Sequence, residues 1–200
     1  CFITLDKDGE RTFTHRGGDP FATLNINTLD SEAVQQTRCI EFSCGALRSE
    51  TSTAAILEAI RLTEGLVAFD PGCCPPAWGD PKVVGRRTLE ILRYCDVFKC
   101  SLEEAQALVG HVSPGDAVRA LHARGAVLAI VTDGPNGAAY ATSTHVGHVP
   151  APTVDVVDST SLAAALNGGH SGLNALLRER GHSALCAQTL AVCSRLLRTQ

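Results

Sequence analysis

Ala126-Val-Leu-Ala-Ile-Val131 is the most apolar run of the chain, and the turn-forming stretch Thr132-Asp-Gly-Pro-Asn-Gly137 closes it at once. A continuous apolar run ended by glycine and proline suits a central parallel strand covered on both faces, not the alternating strand of a half-solvated sheet. Toward the amino terminus, Gly115 to Arg124 reads as a short helix, and Ser101-Leu-Glu-Glu104 opens another as a capping box. Asp96-Val-Phe-Lys99 reads as a strand, and Pro81 begins a helix that ends near Tyr94. Before these come a strand at Leu66–Asp70, stopped by Pro71-Gly72, and a helix from Ser49-Glu50 to about Thr63. Its apolar stripe reads as Ala54, Ile56, Leu57 and Ile60, and a strand at Cys39–Ser43 precedes it. Strand and helix thus alternate at βα spacing, which predicts a doubly wound, layered α/β sheet.

Beyond the apolar run, Ala138–Thr142 and Val146–Val149 read as two antiparallel edge strands. Val154-Asp-Val-Val-Asp-Ser-Thr160 then passes from a strand-like run into a helix of small residues reaching Asn167-Gly-Gly169. In an α/β protein such a junction attracts anions, because unpaired N–H groups and the helix dipole meet there. Here Ser161-Leu-Ala-Ala164 holds no glycine for close backbone approach and no carboxylate for proton transfer, and an ordinary N-capped helix fits the same residues. Leu173–Arg178 and Ala184–Leu197 read as helical. At the other end, Phe2–Asp6 and Arg11–His15 alternate around Asp8-Gly9 as a hairpin, and Asn27–Ala33 reads as a short helix start.

The 200 residues, 44% of them hydrophobic, suffice for one sizeable core. A formal charge of -4 with scattered Lys and Arg and few aromatics argues against a nucleic-acid surface. No apolar run reaches membrane-spanning length and no signal peptide is seen, so the expectation is a soluble, cytoplasmic protein with no membrane partner. The nine cysteines are odd in number and show no Cys-x-x-Cys spacing, which predicts reduced thiols that pack as small hydrophobes. His111, His122, His145, His148, His170 and His182 fall at no metal-ligand spacing with one another. The chain has no methionine and opens on Cys1, which reads as a start inside a longer polypeptide, and it ends on Arg198-Thr-Gln200 without a closing strand.

Four segments, in order, resemble the ribokinase and fructokinase (PfkB) family of sugar kinases: Phe69–Trp78, Val97–Glu104, Val131–Gly137 and Val156–Thr160. The resemblance implies a ribokinase-like three-layer α/β/α fold with a mostly parallel sheet. It also implies that residues 1–20 form a small β lid hairpin, that 38–200 form the α/β core, and that the whole is one partial domain lacking the amino-terminal part of the sugar pocket. It implies transfer of the ATP γ-phosphoryl group to the hydroxyl of a sugar or sugar acid, as in fructokinases or 2-keto-3-deoxygluconate kinases, with Mg2+ and, optionally, K+ as cofactors. A homodimer formed through the lid follows from the same comparison.

Residue by residue, the resemblance places Thr132, Gly134 and Gly137 beside the nucleotide, and Asp158 and Thr160 near its phosphates and a monovalent cation. Ser101 and Glu104 fall in the family's Asn-x-x-Glu motif for magnesium and phosphate, although Ser101 and Glu104 are equally a capping box. Asp70 falls near the sugar and its phosphate, in a segment where the family's Asp-Pro-Asn-x-Arg has become Asp70-Pro-Gly-Cys-Cys74, without the amide and the cation. The family's Asp-Thr-x-Gly-Ala-Gly-Asp ends on the catalytic base, and Ala164 occupies that position. The match stops after Thr160, resumes at Asn167 and fades beyond Arg180, as decay of the gene or an error in its reading would each produce. Three altered segments therefore predict a kinase that is inactive or strongly impaired; the alternative is a non-catalytic nucleotide-binding or scaffold protein with the kinase fold.

Overall fold

The computed structural model describes residues 2–5, 11–14, 24–72 and 80–151. Strands β1 (Phe2–Leu5) and β2 (Arg11–Thr14) pair antiparallel, with Phe2 opposite Thr14, as the alternating pattern predicts. The main sheet has six strands in the order β3-β4-β5-β6-β7-β8. They are β3 (Cys39–Phe42), β4 (Leu66–Phe69), β5 (Val97–Ser101), β6 (Leu128–Thr132), β7 (Ala138–Ala141) and β8 (Val146–Val149). β3 to β6 run parallel, and β7 and β8 close the edge antiparallel. The helices are α1 (Ser31–Gln36), α2 (Glu50–Leu62), α3 (Pro81–Ile91), α4 (Leu102–Val109) and α5 (Pro114–His122).

Each helix begins where a side chain takes over an unpaired N–H. Asp30, Ser49, Asp80, Ser101 and Ser113 all accept from the first turn of their helices, and proline stands early in α3 and α5, where no amide is missed. Every step between parallel neighbours moves the same way across the sheet, and a uniform crossover hand then puts α2, α3, α4 and α5 on one face. The core agrees, for Phe42, Phe69, Phe98, Val131 and Ala139 pack there against Ile91, Ala105, Val118 and Leu121. Phe42 stacks on Phe69 at 4.6 Å and Phe98 meets Phe69 edge-on at 5.4 Å, a ladder across three adjacent strands. Ala68, Val97, Leu128 and Ile130 form a second cluster, on the opposite face by the alternation of the strands. The described strands follow chain order throughout, so the reversal that a doubly wound sheet requires is not among them.

Two readings change. The face that α2 buries is Ser52, Ala55 and Ala59 flanked by Ile56 and Ile60, whereas Leu57 is 40% exposed, because small residues bring this helix closest to its neighbours. Cys44, fully buried, is disulfide-bonded where thiols were expected; spacing along a sequence carries no information on pairs that folding brings together. Cys39, Cys95 and Cys100 are free thiols, and burial, with Asp96 adding to it, pushes that of Cys95 up to about 12.

Candidate functional site

The carboxyl halves of the parallel strands carry a few polar residues among apolar ones, and the two-residue period of a strand decides where those polar side chains go. Cys39, Ala68, Val97 and Ile130 belong to the cluster away from the helices, so Glu41, Asp70, Lys99 and Thr132, two positions on, fall on that same face. Phe69 is in register with Phe98, which sets Asp70 beside Lys99. Lys99 Nζ donates to Asp70 Oδ2 at 3.0 Å, and both side chains are buried, at 7% and 8% exposure. A buried charge is tolerated only where a counter-charge and hydrogen bonds replace water, and this pair supplies them.

Two more carboxyls feel the pair. Glu41 is an exposed residue, but its carboxyl is partly desolvated, which raises its pKa; Asp70 adds to the rise and Lys99 offsets it. Glu104 is buried, and burial raises its carboxyl above the ordinary range, against the pull of the Ser101 N–H. Glu104 Oε2 accepts from Ser101 N at 2.8 Å while Ser101 Oγ accepts from Glu104 N at 3.2 Å, so the capping box of the sequence is present in full.

The turn after β6 is a single 3₁₀ turn, Gly134–Asn136, fixed by Asp133 N donating to the Gly137 carbonyl at 2.7 Å. His148, on the neighbouring edge strand, adds a contact of 2.7 Å from Nε2 to the Asn136 carbonyl. Both glycines of the turn have positive φ, +48° at Gly134 and +96° at Gly137, but their surroundings differ. A Cβ at Gly134 would meet nothing within 4 Å, whereas one at Gly137 would lie 2.8 Å from Ala151 N and closer still to the Val149 carbonyl. Gly137 is therefore demanded by its own chain, and Gly134 alone leaves an open backbone that a ligand could approach. Thr132 stands beside it, its Oγ1 donating to the Cys100 carbonyl at 3.3 Å.

Of the residues singled out in the sequence, Asp70, Ser101, Glu104 and Thr132 come together at this edge, with Gly134 on the adjoining turn. Asp158, Thr160 and Ala164 lie outside the described residues, as do Cys73 and Cys74. Lys99 was missed as a site residue; its signal was a lone cation inside a strand whose neighbours are all buried, which requires an acidic partner nearby. The open turn fits a nucleotide phosphate, since no described residue fills the space above Gly134. For magnesium the fit is poor among the described residues, where no group of three or more His, Cys, Asp or Glu could hold a metal. Nor is any described helix long and apolar enough to cross a membrane.

This edge belongs to a chain whose residues 1–161 match the pattern of the pfkB family of carbohydrate kinases. The chain belongs to that family. Fructokinase-2 of Zea mays is 32% identical over 173 residues, covering 84% of this chain and 52% of that protein. The fructokinase of Klebsiella pneumoniae is 33% identical over 171 residues, covering 84% and 55%. The chain spans about half the length of the curated relatives it matches. Among solved structures, fructokinase from Vibrio cholerae O395, bound to fructose, ADP and calcium ion, has a TM-score of 0.76 at 23% identity, over 96% of this chain and 64% of that one. Aminoimidazole riboside kinase from Salmonella enterica has a TM-score of 0.74 at 24% identity, over 98% and 65%. At these identities the likeness establishes the ribokinase fold of this PfkB chain.

Proposed function

We propose that this PfkB chain is one partial domain of a fructokinase-like sugar kinase that transfers the ATP γ-phosphoryl group to a sugar hydroxyl, and that this form is inactive or strongly impaired. The observation that carries the proposal is a sequence one, the resemblance that aligns Ala164 with the family's base, taken together with a strand edge that keeps its charged groups. Thr132 and Gly134 border the nucleotide, with Gly137 holding their turn in shape. Asp158 and Thr160 serve its phosphates, Ser101 and Glu104 the magnesium and phosphate side, and Asp70, held by Lys99, the sugar side. Residues 1–20 act as the lid over the sugar and as the dimer contact.

Loss of general-base help removes a factor of about 10² to 10⁴, and loss of a preorganised anion hole roughly another 10² to 10³. Ala164→Asp alone is therefore expected not to restore turnover, because Ser161 and Ala163 still occupy the glycine positions. A second reading, a nucleotide-binding scaffold without transfer, is favoured by the open backbone at Gly134. One experiment separates them: thermal shift of the 200-residue chain with Mg-ATP, alongside ADP release over fructose, other hexoses and keto-sugar acids. Trace release that depends on sugar supports the impaired kinase, and stabilisation with none supports the scaffold. Robust release means that another carboxylate serves as base, and no shift at millimolar ATP refutes nucleotide binding in either form.

A further inference from the structure

The helical layer carries a groove of about 640 Å³ between α3 and α4, whose lining includes none of the described residues assigned to the kinase site. Leu89, Leu108 and Gly85 form its floor. Lys82, Arg86, Arg93 and Arg124 line it against a single carboxylate, Glu90. Four cations in one groove contrast with the formal charge of -4 for the chain as a whole. Two of them are held in place at helix ends: Arg93 Nε donates to the Glu90 carbonyl at 3.1 Å, and Arg124 Nη1 to the Ala120 carbonyl at 2.8 Å. A guanidinium fixed by one donor presents its remaining donors at reduced entropic cost.

Gly85 is the second observation. It sits in the middle of α3, where glycine is less stable than alanine. Among the described residues a Cβ there would meet only Leu108 Cδ2, at 3.7 Å, an ordinary contact, and the backbone is helical. Neither packing nor strain asks for glycine at this position. What the missing side chain does supply is room for another backbone to lie against the helix.

We propose that this groove docks an extended acidic segment of a partner protein. Its carboxylates meet Arg86, Arg93 and Arg124, an apolar side chain rests on Leu89 and Leu108, and its backbone passes over Gly85. The 11 residues of α3 run ~16 Å, the span of about five extended residues. Arg86 and Glu90 also border a shallower hollow that includes Leu57, which extends the surface toward α2.

The test is fluorescence anisotropy of a labelled octapeptide of glutamates with one central leucine, titrated with the 200-residue chain. Expected are micromolar binding that weakens with salt, a loss of about tenfold in Arg86→Glu or Arg124→Glu, and roughly tenfold weaker binding when the leucine becomes serine. Gly85→Ala is expected to raise Tm while weakening binding about fivefold. The proposal is overturned by absence of binding, by equal binding of the serine peptide, or by competition from citrate at equal concentration, which would mark a small-anion site. It is equally overturned if Gly85→Ala raises Tm with affinity unchanged, and this variant decides the matter should a charge reversal unfold the chain.

Discussion

Lys99 and Asp70 stabilise the strand edge only as a pair, and removing one partner leaves the other charged and buried. Lys99→Met is expected to cost about 3 to 5 kcal/mol, and adding Asp70→Leu to recover about half of that or more. Urea denaturation of the two variants checks this, and an equal loss in both would mean that the pair is not the reason for the cost. Lys99 was legible as a buried cation needing a partner, but the partner was not, because register between strands 29 residues apart is not written locally. The two glycines of the 134–137 turn were equal in sequence and are unequal in space. Gly134→Ala meets only the left-handed backbone penalty of about 1 to 2 kcal/mol. Gly137→Ala adds a collision with the Val149 carbonyl and Pro150, so its midpoint of unfolding should fall clearly below that of Gly134→Ala.

At the scale of elements, the local signals were the reliable ones. The caps at Ser49 and Ser101 and the edge strands after the Thr132–Gly137 turn stand where propensity and turn chemistry place them, whereas α5, read from Gly115, opens at Pro114 on a Ser113 cap. The buried face of α2 was misread because apolar size was taken as burial, and close packing favoured Ala55 and Ala59 over Leu57. The capping box of α4 has a consequence of its own in pH. Burial raises the Glu104 carboxyl from 4.5, the Ser101 N–H opposes this, and Asp70 adds to it. The folded chain then binds more protons than the unfolded one, so this contribution is full below the unfolded value and is lost as pH rises through the folded one. Glu104→Gln keeps an acceptor for the Ser101 N–H and cannot titrate. Its stability should therefore fall less steeply than the parent's from about pH 4.5 upward, with Glu41, which shifts the same way, contributing to the slope that remains. Equal slopes in a set of denaturation curves would exclude Glu104 as the source.

For the whole molecule, the six-stranded sheet gathers polar groups at one edge because its parallel strands all end there, with Glu41, Asp70, Lys99, Ser101 and Thr132 in or just past their carboxyl halves. That much was legible, since apolar runs that terminate in Asp70, Ser101 and Thr132 foretell such an edge. The disulfide at Cys44 and the groove on α3 were not, since neither a cysteine pairing nor a groove lined by several elements is written in local sequence. The edge also bears on how much of a kinase is present. The chain spans about half the length of its curated relatives, and under the proposed assignment Thr132 and the open backbone at Gly134 stand on the nucleotide side while Asp70 alone is given to the sugar side. Nucleotide should accordingly bind with little help from sugar. Millimolar Mg-ATP should raise Tm by mass action, and adding fructose should leave that shift unchanged. A shift that appears only when sugar and nucleotide are present together would mean that the two sites are coupled across this edge. The division into a retained nucleotide side and a reduced sugar side would then be wrong.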